Sequence, residues 1–168
     1  MRILGIDPGY AIVGVGVIEY THGRFQVVGY GAVTTQANTN FTVRLKTIYD
    51  EVSLLIAKYQ PQALAIEKLY FNDNQKTAID VAQARGVILL AAANAGVPIY
   101  EYTPLQVKQA VVGYGRAEKR QMQEMTRSLL RLKSVPKPDD TADALAIAIC
   151  HAHTSGSILN QIKRGAIQ

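Results

Sequence analysis

Cysteine is nearly absent from this chain: Cys150 is the one thiol in 168 residues. That excludes an internal disulfide framework and a cysteine-built zinc site, and it suits a reducing compartment. Long apolar runs are missing too, and without about 20 consecutive apolar residues there is no candidate membrane span. The opening Met1-Arg2-Ile3-Leu4-Gly5-Ile6-Asp7 reaches an acid after a few apolar residues, so it lacks the extended apolar centre of a secretory signal. A cytoplasmic protein with no membrane partner is the expectation. No internal repeat or low-complexity tract interrupts the sequence. What is there is a globular composition, 48% hydrophobic and 18% charged, at a length that suits one domain with a substantial core. We expect that domain to span residues 1–155, followed by a polar, flexible tail at 156–168.

Charge is unevenly placed. The total is +5, but residues 105–137 hold eight basic side chains against Glu118 and Glu124, a net +6 that leaves −1 for the rest of the chain. A regional excess of this kind marks a surface that meets a polyanion, although a solvated helix face would produce it as well.

The pattern of apolar residues predicts an α/β protein. Arg2–Ile6, Ile12–Tyr20 and Phe25–Thr35 are rich in Val, Ile, Tyr and Gly and are separated by Asp7-Pro8-Gly9 and Thr21-His22-Gly23, which reads as three strands in a meander. Val43, Leu45, Ile48, Val52, Leu55 and Ile56 recur at helical spacing over Phe41–Tyr59, with Asn40 as N-cap and Pro61 closing the segment. Ala63–Ile66 and Val97–Tyr102 are short apolar strands flanking a helix of about 20 residues, and strand, helix, strand implies a parallel crossover. That helix, Gln75–Ala95, is apolar nearly all round from Val87 to Ala93. A one-sided surface helix has no need of this, so a second subunit is expected against it, with Gly86 allowing close approach. More helices follow from Pro104, broken at Gly113-Tyr114-Gly115 and at Pro136-Lys137-Pro138.

Acids stand where an apolar chain should not place them. Asp7 ends the first strand before Pro8-Gly9, a position a turn residue could equally take. Glu67 ends the run Ala63–Ile66, where a carboxylate needs a cation or a partner. If these two strands lie parallel and adjacent, both acids emerge at the same C-terminal edge, where open α/β sheets place their sites. Asp139, Asp140 and Asp143 open the apolar helix Ala144–Ile149. One acid there suits the helix dipole, but three exceed what a cap needs. Asp139 is the better N-cap candidate, yet spacing alone leaves 139 and 140 both able to share a face with Asp143. Carboxylates gathered in this way repel one another unless divalent cations neutralise them, and oxygen-only ligands suit Mg²⁺ or Mn²⁺. His151 and His153, behind Cys150 on an apolar helix, read as packing or surface residues.

Gly5-Ile6-Asp7-Pro8-Gly9, Ala65-Ile66-Glu67, Gln83-Ala84-Arg85-Gly86, Glu101-Tyr102 with Gln106-Val107-Lys108-Gln109, Val111-Val112-Gly113 and Ala142-Asp143-Ala144-Leu145-Ala146-Ile147-Ala148 resemble, in this order, the RuvC family of Holliday junction resolvases. The resemblance covers residue 1 to about residue 153. It implies an RNase H-like fold, a five-stranded mixed sheet of order 3-2-1-4-5 flanked by helices. It also implies a homodimeric crossover junction endodeoxyribonuclease that nicks four-way DNA junctions in recombination and repair. The family's catalytic, metal-binding acids fall on Asp7, Glu67, Asp140 and Asp143, with two Mg²⁺ per subunit and Mn²⁺ as a substitute. Its basic residues near the phosphate fall on Lys108 and Lys119, the latter also catalytic. Arg116 and Arg120, in the same basic window, are further candidate DNA contacts. Tyr70 and Phe71 follow Glu67 as adjacent aromatics that either anchor their loop or stack on unpaired bases; the family commonly has Phe where Tyr70 stands. Implied partners are junction DNA and the branch-migration proteins RuvA and RuvB.

Overall fold

A computed structural model describes residues 1–69 and 75–165. The meander is present as β1 (Arg2–Asp7), β2 (Ile12–Thr21) and β3 (Arg24–Thr34). His22 and Gly23 both take positive φ, 50° and 77°, which is how a two-residue turn matches the twist of the strands it joins. The helix α1 (Phe41–Tyr59) begins where predicted: the Asn40 side chain accepts from the Thr42 N–H. It ends not through Pro61 itself but at Gln60, whose left-handed backbone lets its N–H donate to the Ile56 carbonyl. Next come β4 (Ala63–Glu67), α2 (Gln75–Asn94), β5 (Ile99–Tyr102), α3 (Pro104–Val112), α4 (Lys119–Leu129) and α5 (Asp139–Gly165).

The sheet order is β3-β2-β1-β4-β5, as expected, with β1 antiparallel to β2 and parallel to β4. β2 and β3 slip register between Val17 and Ile18, leaving Val28 as an extra residue on β3. Helices cover both faces. Leu4, Ile6, Leu64 and Ile66 pack under α1 and α2, with Ile48, Val52, Ala84 and Ile88 as their buried partners. Ile3 and Ala65 face the other way, onto Leu145–Cys150 of α5 and Val107 and Val111 of α3. Because side chains alternate along a strand, Asp7 and Glu67 fall on the α5 side of the sheet.

Two sequence expectations change at α5. Asp139 is not the cap but the first helical residue, and the preceding Pro138 carbonyl accepts from the Thr141 N–H. The helix also continues to Gly165, through the segment that reads as a polar tail, since after Pro138 no proline interrupts it.

Candidate active site

Glycine determines how closely α5 approaches the sheet. A methyl group on Gly5 would lie 2.1 Å from the Ala144 carbonyl oxygen, and one on Gly14 would lie 2.0 Å from that of Asp140. Gly14 is the cross-strand partner of Asp7, so the same bare position that lets the helix descend puts Asp140 beside Asp7. Glu67 arrives through the parallel pairing of Ile6 with Ile66, one residue before each acid. Three strands and one helix thus bring four acids to one end of the sheet.

Asp7, Glu67 and Asp143 line a cavity of about 230 Å³ together with Lys108, Lys119, Met122 and Ile147. Burial, reinforced by the charges of Asp143, Glu67 and Asp140, pushes the Asp7 carboxyl up to about 8. Burial and Asp143 raise Glu67 as well, and Asp143 is raised chiefly by burial. Lys119 reaches from the first residue of α4 to Asp139 at 3.3 Å and Asp143 at 3.6 Å. Burial alone would lower its pKa, but these acids raise it. Asp139 differs from its neighbours: it pairs with Lys137 and Lys119 at the surface, and those hydrogen bonds lower its pKa. The structure therefore separates Asp140, which contributes its field to Asp7, from Asp139, which is occupied with lysines.

Lys108 and Lys119 are brought to the acids, whereas Arg116 and Arg120 are exposed on the connection to α4 and on its first turn. Tyr70 and Phe71 lie outside the described residues. The histidines pack, as expected: His151 is buried, its Nδ1 shares a 2.7 Å hydrogen bond with the Tyr102 hydroxyl, and burial lowers it to about 4. His153 sits 3.0 Å from the Ala110 carbonyl. A larger groove of about 560 Å³ at the ends of α1 and α2 is lined by no carboxylate, amine, guanidinium or imidazole, so it offers no comparable chemistry.

The acid set fits a hard divalent cation: partly buried carboxylate oxygens that repel one another, with no thiolate or imidazole in the cavity wall. As placed, no three His, Cys, Asp or Glu side chains among the described residues converge on one point. Asp143 leans toward Lys119.

A sequence model of the family "Crossover junction endodeoxyribonuclease RuvC" matches residues 3–151. The chain belongs to the RuvC family. It is 59% identical to the RuvC of Clostridioides difficile (strain 630) over 155 residues, covering 92% of each chain. To that of Brevibacillus brevis (strain 47) it is 60% identical over 152 residues, covering 90% of this chain and 92% of the other. The solved structure of T. thermophilus RuvC in complex with a Holliday junction substrate superposes with a TM-score of 0.86 at 34% identity, covering 94% of this chain and 96% of that one. The yeast mitochondrial resolvase Ydc2, at 12% identity and a TM-score of 0.66, shares the fold. The architecture is the RNase H-like one that RuvC proteins share.

Sequence reasoning missed Met122 and Ile147, which line the cavity, and Arg85, which bonds to the backbone of Glu67. The Arg85 Nε donates to the Glu67 carbonyl at 3.2 Å and its guanidinium pairs with Glu101. The sequence signal for Arg85 was Gln83-Ala84-Arg85-Gly86, which carried the resemblance without carrying a role.

Proposed function

We propose that this chain acts as a crossover junction endodeoxyribonuclease that resolves four-way DNA junctions by two symmetric nicks. The observation that carries the reading is the shared cavity of Asp7, Glu67 and Asp143 with Lys108 and Lys119 in a chain of the RuvC family. Asp7, Glu67, Asp140 and Asp143 would hold two Mg²⁺, or Mn²⁺ in their place. When bound, such ions activate a water for in-line attack on phosphorus and stabilise the departing 3′ oxygen. Asp7, poised near 8, keeps a proton around neutral pH until a cation compensates its charge. Lys108 and Lys119 supply positive charge at the cavity wall, where a phosphate would rest against the acids.

The outward face of α2 supports a homodimer. Ile79, Gln83, Gly86, Leu90 and Ala93 are exposed at alternating spacings of four and three, the period of a helix-to-helix seam, and Ile79 and Leu90 are each more than half exposed. A two-fold pairing on that seam would present two cavities to a junction of matching symmetry. Arg116 and Arg120 are assigned to the DNA backbone, and Tyr70, with Phe71 as the second ring, to the opened bases at the crossover. Work beside RuvA and RuvB in the cytoplasm completes the reading. Among the described residues no helix is long and apolar enough to cross a membrane.

The test is nicking with Mg²⁺ on a mobile four-way junction, on a linear duplex of the same sequence and on an RNA/DNA hybrid. Paired nicks confined to the junction are expected. Equal cutting of the linear duplex, or a preference for the hybrid, overturns the reading in favour of another nuclease on this scaffold.

A further inference from the structure

Glu67 ends its strand without a complete ladder. The Leu64 N–H donates to the Pro98 carbonyl and the Lys68 N–H to that of Tyr102, so the even-numbered residues of β4 bond toward β5 and the odd-numbered ones toward β1. With Ile6 paired to Ile66, the donor that a continuing ladder would offer the Glu67 carbonyl is the amide of residue 8. Residue 8 is proline, buried and with no N–H to give. Arg85 supplies the missing donor. It reaches from the middle of α2, its side chain 15% exposed, with Nε on the Glu67 carbonyl and the guanidinium on Glu101. Glu101 is the β5 residue paired with Ile66. One planar group thereby joins the last residue of β4, the neighbouring strand and the helix that follows.

We propose that Arg85, held by Glu101, is a positioning residue for the catalytic acid Glu67. It fixes the peptide from which the Glu67 carboxylate projects, and so sets how well the acids hold a divalent cation. The inference rests on the metal-site reading given above. Groups that orient a metal ligand through its backbone or its far side usually change metal affinity or activity by about 10–100-fold when removed. Lysine does not replace Arg85, because one ammonium lacks the fork that spans a carbonyl and a carboxylate together.

Calorimetric titration of Mn²⁺ into the DNA-free protein, run beside junction cleavage under single turnover, tests this. Arg85→Ala and Arg85→Lys should weaken Mn²⁺ binding about tenfold and raise the Mg²⁺ needed for half-maximal cleavage to match. Junction affinity in Ca²⁺ should stay within twofold. Glu101→Gln should shift both metal readouts in the same direction by a smaller factor, and it serves as the deciding variant if Arg85→Ala does not fold. Wild-type Mn²⁺ affinity in a folded Arg85→Lys or Glu101→Gln protein overturns the proposal. So does a loss of junction affinity with the metal readouts unmoved, which would make Arg85 a DNA contact. Should the wild-type protein bind Mn²⁺ but leave the junction uncut, the nuclease reading fails while the calorimetry still decides the role of Arg85.

Discussion

Asp7 is charged at a cost in the folded protein. Its carboxyl is moved from an ordinary 3.8 to about 8 by burial, with Asp143, Glu67 and Asp140 adding their charges. A raised carboxyl pKa means that between about pH 4 and pH 8 the folded state holds a proton the unfolded chain has lost. Without metal, stability therefore falls as pH rises through that window, and the full cost is present above pH 8. Asp7→Asn removes the charge and keeps the shape. In EDTA at pH 8 its melting temperature should exceed the wild-type value by several degrees, the gap closing toward pH 4, while junction cleavage with Mg²⁺ is lost and binding survives. A variant that cuts at a near-normal rate, or that melts lower than wild type at pH 8, would remove Asp7 from the centre of the site.

At the level of elements, the bare glycines under α5 are what bring Asp143 to the cavity and Asp140 close to Asp7, so adding a methyl group there tests packing and chemistry together. Gly5→Ala and Gly14→Ala collide with helix backbone oxygens, at Ala144 and Asp140, whereas Gly16→Ala meets the Leu145 side chain at 2.7 and 2.8 Å and its backbone Cα at 3.0 Å. Overpacking of this kind costs about 1–3 kcal/mol; we expect the first two at or above the top of that range and Gly16→Ala below them but within it. Denaturant titration gives the order, and cleavage should fall further in Gly14→Ala than its stability loss explains. The same elements show what could be read from the chain. The meander, the crossover and α1 were legible because strand alternation, turn residues and the Asn40 cap are local signals. Spacing did not separate Asp139 from Asp140, because both distances to Asp143 fit one helical face; the family resemblance picked Asp140, and the pairing of Asp139 with Lys119 and Lys137 agrees with that choice. The length of α5 was hidden by its polar end, which resembles a tail in composition but contains no breaker. The Arg85 contact required knowing which way the Glu67 carbonyl turns, and that is a property of register rather than of composition.

For the molecule as a whole, the proposal gives the seam on α2 and the basic window separate jobs, and each can be tested alone. Leu90→Arg should halve the light-scattering mass at micromolar concentration and leave the fold intact, since Leu90 is 52% exposed in the single chain. An unchanged mass would remove the dimer from that face. If Lys108, Arg116 and Arg120 meet phosphates, log affinity should fall with log salt by about 0.9 per phosphate neutralised, and each residue changed to Ala should make the slope shallower by about one unit. Tyr70→Ala should slow cleavage at saturation and leave that slope unchanged; an altered slope with normal cleavage would return Tyr70 to a loop anchor.

The rims of the sheet determine what kind of assembly this protein can form. β3 lies outermost for eleven residues, and a free edge of that length is a template on which a further strand can add. The extra residue at Val28 interrupts that template, bending the strand and sharpening its twist so that no long flat row of N–H and C=O groups is offered. At the opposite rim β5 is four residues long, with Pro98 just before it and Pro104 just after, neither able to donate to a growing ladder. Strand-by-strand polymerisation thus has no clean starting edge on either side. The self-association proposed on α2 pairs two helices about a two-fold axis, a contact that closes after two copies, so on that proposal crowding the protein on DNA should concentrate finished dimers rather than seed fibres.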